Sequence, residues 1–161
     1  MATKIPLVLG ADGLVQQLQS TDTISVPFSG VDVRSVTNSD SVALVFGTPV
    51  YAFAAGSVKR GQANAKSTSG VVGLMYDATT AAAAVGQMAA GGVMAGTTAQ
   101  WDAVTGATGG LVFNTLYFLD PVTAGKLTTA VATTVGQCNA LIGRAISTTE
   151  LEVDISEPVL L

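Results

Sequence analysis

The sequence has no histidine and a single cysteine, Cys138, among its 161 residues. Without histidine, the Ser-His and Cys-His pairs that activate most protein nucleophiles cannot form. One cysteine cannot form an intramolecular disulfide, and with no histidine beside it the chain has little from which to build a zinc site. We therefore expect no enzymatic activity and no cofactor, and we interpret Cys138 as a small buried hydrophobic residue.

Charged residues are also scarce. They make up 11% of the chain, against about 25% in an average soluble domain. Since a monomer usually covers itself with charged side chains, this scarcity predicts that much of the surface is covered in an assembly. A sparsely charged β monomer is the alternative.

The net charge of −4 argues against nucleic-acid binding. The one local group of basic residues, Lys59, Arg60 and Lys66, is interpreted as a solvated loop or a rim contact to an acidic partner.

The sequence predicts neither a secretory signal peptide nor a transmembrane helix. Pro6 and Gly10 interrupt the short apolar stretch at the N-terminus, so no secretory signal is expected. The apolar residues of 70–99 are mostly alanine, and Asp77 and Gln87 lie among them. A transmembrane helix needs about 20 strongly apolar residues without charge, so we expect no membrane span.

Strand signals are clearest near the end of the chain. Residues 150–156 alternate polar and apolar side chains, which is the period of a half-buried strand with Leu151, Val153 and Ile155 facing inward. Residues 141–146 precede this strand across a Ser-Thr-Thr turn and predict a final hairpin. The whole of the last third, from Trp101 onward, reads as short strands and tight turns.

Earlier segments carry similar signals. Residues 42–46 and 50–54 are apolar runs joined by Gly-Thr-Pro, which predicts a hairpin or a bent strand, and residues 71–76 predict another strand. Many short strands separated by Gly, Pro, Asp, Ser and Thr turns predict a mainly β domain. The expected architecture is a small β-barrel or a β-tulip-like sandwich with an extended N-terminal arm.

The alanine-rich middle of the chain is ambiguous. Four consecutive alanines within residues 79–85 could start a short helix. The glycines that follow prevent a long one. We favour two short strands, residues 85–89 and 93–95, around a Gly91-Gly92 turn.

The N-terminal segment differs from the rest of the chain. We expect residues 1–27 to form an extended arm and residues 28–161 to form the β-rich domain. Ile5, Leu7 and Leu9 lie on one face of a short extended segment and are our candidates for its apolar anchors. A segment that cannot build a core alone is either disordered or folds against a neighbour.

Three carboxylates share the outer face of the predicted strand near the C-terminus. Glu150, Glu152 and Asp154 follow one another at every second residue, about 6.5–7 Å apart. That spacing superficially matches the carboxylate pair of a glycosidase. We interpret the three carboxylates as the solvent-exposed face of the strand, where they add to solubility.

Two further ligand interpretations are weaker than their structural alternatives. Calcium could be considered at four aspartates: Asp12, Asp22, Asp32 and Asp40. None lies in a loop with dense alternating oxygen ligands, so Asx turns are favoured. Sugar could stack on Trp101, Tyr117 or Phe118, but a lone tryptophan is more often a core or interface anchor.

Several motifs of the last third resemble, in their order, a β domain common in virion proteins of tailed bacteriophages. They are Trp-Asp-Ala-Val-Thr-Gly from Trp101, Gly-Gly-Leu from Gly109, Tyr-Phe-Leu-Asp from Tyr117, Ala-Gly-Lys-Leu-Thr from Ala124 and Ile-Gly-Arg-Ala from Ile142. Near the N-terminus, Leu-Gly-Ala-Asp-Gly from Leu9 resembles a short module of phage fibre and decoration proteins. The resemblance covers residues 5–25 and 55–161, and Cys138 departs from the β-branched or polar residue expected in its strand.

This resemblance implies a capsid decoration (cement) protein. Such proteins are usually homotrimers on the outer surface of the mature head, where they bind the major capsid protein and stabilise the shell. The arm would add a strand to a sheet edge of that partner. The alternative is a head-fibre, collar or tail-fibre component, although the chain is short for a fibre and shows no heptads. The family is not enzymatic, so no catalytic residue, nucleic acid or membrane is implied.

Overall fold

A computed structural model describes residues 30–161 and, before them, two short strands. Among residues 30–161, strand accounts for 43% and helix for 9%, and a closed five-stranded β-barrel forms the centre. The prediction of a mainly β domain built on a small barrel is therefore confirmed.

The chain forms strands and helices in the following order. The strands are β1 (Leu7–Leu9), β2 (Val15–Gln17), β3 (Val31–Asn38), β4 (Leu44–Val45), β5 (Pro49–Ala54), β6 (Ser57–Arg60), β7 (Val71–Met75), β8 (Thr79–Thr80), β9 (Val85–Ala95), β10 (Leu116–Leu119), β11 (Leu127–Thr128), β12 (Cys138–Asn139), β13 (Leu141–Ala145), β14 (Glu150–Val153) and β15 (Val159–Leu160). The helices are α1 (Lys66–Ser69) and α2 (Thr98–Thr105).

The barrel closes through the long strand β9. Around the barrel the strand order is β9, β3, β6, β5 and β7, and β7 pairs again with β9. Only the β3–β6 pair is parallel. Closure leaves the five strands without a free edge between them, because each has two hydrogen-bonded neighbours.

The same strand carries the chain out of the barrel and into a second sheet. Opposite Asp32 and Val33 the register shifts, leaving Ala90 as the extra residue of a bulge. A bulge bends its strand, and past this one β9 pairs with β14, which begins the series β14, β13, β10 and β11. Gly92 follows the bulge with a φ of +90°, and a Cβ there would overlap the Gly30 carbonyl oxygen. The predicted Gly91-Gly92 turn is therefore wrong, since both glycines lie within one continuous strand.

Two groups of buried side chains fill the molecule. The smaller lies in the barrel: Val36, Leu44, Val50, Val58, Met75 and Met88. The larger lies between the barrel, the second sheet and α2, and its biggest members are Phe46, Leu74, Met94, Trp101, Tyr117, Leu119, Ile142 and Leu151. Each such side chain contributes about 1.5–3 kcal/mol on burial. Both groups include residues of β9, so the barrel and the second sheet share that strand.

Helix α2 occupies a position where strands and turns were expected. Thr97 and Gln100 form a capping box, in which the Thr97 hydroxyl accepts from the Gln100 N–H and the Gln100 side chain accepts from the Thr97 N–H. Gly106 ends the helix in the left-handed conformation. Trp101 is fully buried and donates its Nε1–H to the Thr149 carbonyl oxygen at 2.9 Å. The prediction of strands from Trp101 onward is thus wrong for the first residues of that segment.

A second correction concerns residues 42–54. They were predicted to form a hairpin or a bent strand, but β4 pairs with β8, whereas β5 pairs with β6 and β7. Gly47, with a φ of +78°, donates its N–H to the Met75 carbonyl oxygen and so turns the chain into the barrel. The four alanines of residues 81–84 form no helix in the described structure, since they make the turn between β8 and β9.

The remaining strand predictions are confirmed. Strand β7 occupies residues 71–75, and β13 and β14 form the predicted hairpin. Leu151 and Val153 are buried, and Ile155, just past the strand, packs partly buried against the core.

Of the predicted arm, only two strand segments are described. β1 and β2 pair antiparallel with each other. The rest of residues 1–27, and the side chains of both strands, lie outside the described residues.

Candidate interaction surface

Nine of the sixteen exposed large hydrophobic residues in the described part of the chain fall into two groups. We name the first the loop patch; it consists of Val112, Phe113, Leu116 and Ile146. We name the second the ribbon patch; it consists of Val131, Val135, Val159, Leu160 and Leu161. Single exposed hydrophobic residues are ordinary on proteins, whereas contiguous groups mark surfaces that bind a partner.

The loop patch forms because the segment before β10 is held against the end of β13. The Asn114 N–H donates to the Ala145 carbonyl oxygen at 2.8 Å, and the Ala145 N–H donates to the Thr115 carbonyl oxygen at 3.0 Å. Asn114 takes a φ of +59°, a conformation that asparagine tolerates better than most residues. This turn leaves Phe113 at the surface with 70% of its area exposed.

The ribbon patch is built on a two-stranded ribbon and the loop before it. β12 pairs with β15, and the Leu161 N–H donates to the Gln137 carbonyl oxygen at 3.0 Å. The Asn139 side chain holds the loop by accepting from the Ala132 N–H at 2.7 Å and donating to its carbonyl oxygen at 3.3 Å. Val135 lies on this loop and is 88% exposed.

Charged residues lie near both patches. Arg144 lies opposite Leu116 on the neighbouring strand and donates to the Asn114 side-chain oxygen at 2.8 Å. Glu157 is exposed and stands two residues before Val159. Within the described part of the chain, neither residue forms an ion pair. An exposed guanidinium that is not paired with a carboxylate can donate hydrogen bonds to a carboxylate of a partner.

The predicted carboxylate face is present on β14. Glu152 and Asp154 are exposed, and Glu150 is half-buried and accepts a hydrogen bond from the Ser147 hydroxyl at 3.2 Å. Arg144 and Glu152 are direct cross-strand neighbours, yet the guanidinium turns toward Asn114. The arrangement is a solvated strand face without an enclosing cleft.

The aromatic trio considered for sugar binding does not share a surface. Trp101 and Tyr117 are buried in the larger core, and Phe118 is half-buried. Tyr117 accepts a hydrogen bond from the Val112 N–H at 3.0 Å. These rings anchor the core and the loop patch and offer no stacking platform.

The aspartates considered for calcium have other partners where they are described. Asp32 pairs with Arg34 at 2.7 Å on the surface, and Asp40 pairs with Arg60 at 2.9 Å. Asp12 and Asp22 lie outside the described residues. Among the described residues, no group of three or more His, Cys, Asp or Glu side chains could hold a metal ion.

The basic residues are likewise dispersed by the fold. Arg60 is committed to Asp40, and the Lys59 ammonium lies 3.6 Å from the centre of the Phe53 ring. Lys66 is exposed on α1. Cys138 is fully buried with a free thiol, as the sequence predicted.

The predicted arm anchors cannot be assigned a position. Ile5 lies outside the described residues, and Leu7 and Leu9 belong to β1, of which only the backbone is described. The two apolar patches were missed from the sequence. The sequence gives a signal for five of their nine residues only, which lie in the two stretches without a charged residue, 103–119 and 127–143.

Four concave sites on the described surface measure about 210–290 Å³. An open cavity of about 230 Å³ beside the barrel core is lined by Val36, Val58, Val72 and Met88, among others, whereas most ligand pockets measure roughly 300–1,000 Å³. In the described residues there is no helix with the length and apolar character needed to span a membrane. No family model matches the chain, and no curated protein matches it significantly.

Proposed function

We propose that the chain is a structural protein of a bacteriophage virion. It acts as a capsid decoration (cement) protein, binds the outer surface of the mature head as a homotrimer and stabilises the shell. The proposal starts from the resemblance carried by the motifs of residues 101–161 and agrees with the mainly β fold. Such a protein acts by binding other proteins through its surface, and this role requires no catalytic side chain.

The observation that carries the proposal is the pair of apolar patches on a chain with 11% charged residues. Monomeric proteins rarely expose contiguous apolar patches larger than a few hundred Å², so grouped exposed apolar side chains favour contact with a partner. Burying such surface against other copies and against the major capsid protein removes it from water at about 25 cal/mol per Å². Many copies at modest area each then give the shell a large avidity.

Attachment to the capsid is assigned to residues 1–27. An extended apolar segment binds by adding a strand to an exposed sheet edge, where main-chain hydrogen bonds give affinity and alternate side chains fill pockets. Ile5, Leu7 and Leu9 would be those alternate side chains. The partner is the major capsid protein.

The first test is the copy number of the chain in purified virions, measured by quantitative mass spectrometry against the major capsid protein. Hundreds of copies per virion support a decoration protein. A few dozen or fewer indicate the head-fibre, collar or tail-fibre alternative. Absence from virions overturns the proposal altogether.

The second test concerns the arm. We expect a variant lacking residues 1–25 to keep its trimeric mass and to lose binding to mature heads in a sedimentation assay. The full-length chain in the same assay is the reference, so no second deletion variant is needed as a control. Unchanged attachment would refute the role of the arm without affecting the copy-number result.

A further inference from the structure

Strand β3 has a described neighbour along its whole length on one side only. On that side β9 pairs with residues 31–37, whereas on the other side β6 pairs only with Thr37 and Asn38. Within the described part of the chain, the β6 side of the earlier residues of β3 is therefore an open strand edge. Such an edge presents backbone groups with which another strand can pair.

The backbone groups at this edge belong to Val33 and Ser35. The Thr37 N–H donates to the Gly56 carbonyl oxygen on the β6 side at 2.8 Å, and the next N–H along β3 donates on the β9 side. Successive residues of a strand direct their backbone groups to opposite edges, so Val33 and Ser35 share the direction of Thr37. Among the described strands, none pairs with β3 at these two residues on that side.

The open edge lies beside an apolar cavity at the end of the barrel. A strand paired with Val33 and Ser35 would continue the line of β6 beyond Gly56. Gly56 lines the open cavity of about 230 Å³ together with Val36 and Met88 of the barrel core. A strand at this edge therefore meets apolar surface as well as backbone hydrogen-bonding groups, which are the two features that strand addition uses.

The N-terminal hairpin of the chain, formed by β1 and β2, is the segment placed to fill this edge. Its strands have three residues each and pair only with each other among the described strands. A two-stranded hairpin is marginally stable in water and gains stability from a third strand.

The connection between the hairpin and β3 is long enough for this pairing. β2 ends at Gln17 and β3 begins at Val31, so the thirteen residues 18–30 connect them. Such a connection spans up to about 43 Å when extended. The edge residues Val33 and Ser35 lie only roughly 7–13 Å past the start of β3, so β2 can return to a position beside them.

We propose that the N-terminal hairpin docks on the domain of its own copy, with β2 paired to the open edge of β3 at Val33 and Ser35. The hairpin then extends the sheet beyond β3 by two strands and leaves β1 outermost. Strands that follow one another in sequence pair or lie side by side in about two-thirds of cases, which favours β2 over β1 as the partner of β3. This docking is independent of the proposed function, and only the use of the outer edge of β1 by the major capsid protein rests on it.

Amide hydrogen exchange of the full chain, resolved by NMR, tests the docking directly. We expect the Val33 and Ser35 N–H groups to exchange at least about tenfold more slowly than unstructured amides, because β2 supplies their acceptors. The Thr37 N–H, bonded to Gly56, is the internal reference at the same edge. Exchange of Val33 and Ser35 at unprotected rates, with Thr37 protected, would overturn the proposal. Protection that disappears on dilution would also overturn it, since the paired strand would then belong to a second copy.

Two full-length variants test whether β2 provides the protection. Gln16→Pro, at the centre of β2, is expected to remove the protection of Val33 and Ser35, because proline disrupts a short strand. Thr3→Pro, before β1, is the matched control and should leave both amides protected. Protection unaffected by Gln16→Pro would show that another segment covers the edge and would contradict the proposal.

A second pair of variants acts on β3 itself. Ser35→Pro removes one donor at the open edge, a position that tolerates proline because the N–H does not face β9. Ser35→Ala keeps the donor and is the control. We expect only the proline variant to lose the protection of Val33, and loss in both variants or in neither would count against the pairing.

The docking and the proposed function can fail separately. Unprotected Val33 and Ser35 amides together with a high copy number in virions would overturn the docking and leave the proposed function intact. Protected amides in a chain that is absent from virions would support the docking and overturn the proposed function.

Discussion

At the residue scale, the pair of Asp40 and Arg60 is the clearest electrostatic feature of the described structure. The Arg60 guanidinium contacts both carboxylate oxygens, at 2.9 and 3.1 Å, and the Arg60 and Ser41 N–H groups also donate to Asp40. Burial opposes ionisation of Asp40, but these hydrogen bonds and the charge of Arg60 outweigh it and hold the pKa of Asp40 below its usual range. Arg34 and Asp32 form a comparable contact at the surface, where solvent screens it.

This lowered pKa predicts how acid affects stability. The unfolded aspartate has a pKa of about 3.9, so the native state favours the ionised form. Its contribution is fully present above about pH 5 and is lost as the pH falls through the folded pKa, below about 4. We expect Asp40→Asn to lower the free energy of unfolding by about 1–3 kcal/mol near neutral pH, with the gap to wild type closing in acid. Urea unfolding along a pH series measures it. Asp32→Asn is the control, and an Asp40→Asn gap that stayed constant down to acidic pH would contradict this account.

At the scale of elements, local patterns predicted local structure and missed non-local pairing. Alternation alone identified β14, because one face of the strand is buried. Helix α2 was missed although its signals are present, namely Thr97 and Gln100 at capping-box spacing and Gly106 after the last turn. The partner of β4 could not be found, since β8 lies far along the chain and nothing in a short apolar run specifies which edge it joins.

The capping box gives the prediction at this scale. We expect Thr97→Ala to cost about 1 kcal/mol, because it leaves an N–H at the start of α2 without its acceptor. Trp101 lies inside the helix and reports on its packing, so fluorescence during chemical unfolding measures the change. Thr108→Ala, in the exposed loop after the helix, is the control. Equal losses for the two variants would mean that the cap does not stabilise α2.

At the scale of the whole molecule, the low content of charged residues predicts that part of the surface is buried in an assembly, but it does not indicate which part. Low charge is a property of the chain as a whole, whereas the loop patch and the ribbon patch depend on which turns expose Phe113 and Val135. Those turns are set by backbone hydrogen bonds to β13 and to Leu161, just past β15, which only the folded topology brings close to them. The barrel could be predicted from the sequence, since many short strands favour a closed sheet. The continuation of the barrel into a second sheet could not be predicted, because it depends on a bulge in β9.

That shared strand predicts how the molecule unfolds. Met88 of β9 belongs to the barrel core, and Met94 of the same strand belongs to the larger core with Leu151 and Trp101. We expect Met88→Ala and Leu151→Ala each to lower the free energy of unfolding by about 2–5 kcal/mol. Because β9 cannot leave one core without disrupting the other, both variants should unfold in one transition. Far-UV circular dichroism follows all strands, and Trp101 fluorescence follows the larger core alone. At a fixed protein concentration, which any assembly requires, the midpoints of the two signals should shift together in each variant. A Met88→Ala protein whose circular dichroism changed before its fluorescence would show that the barrel unfolds separately.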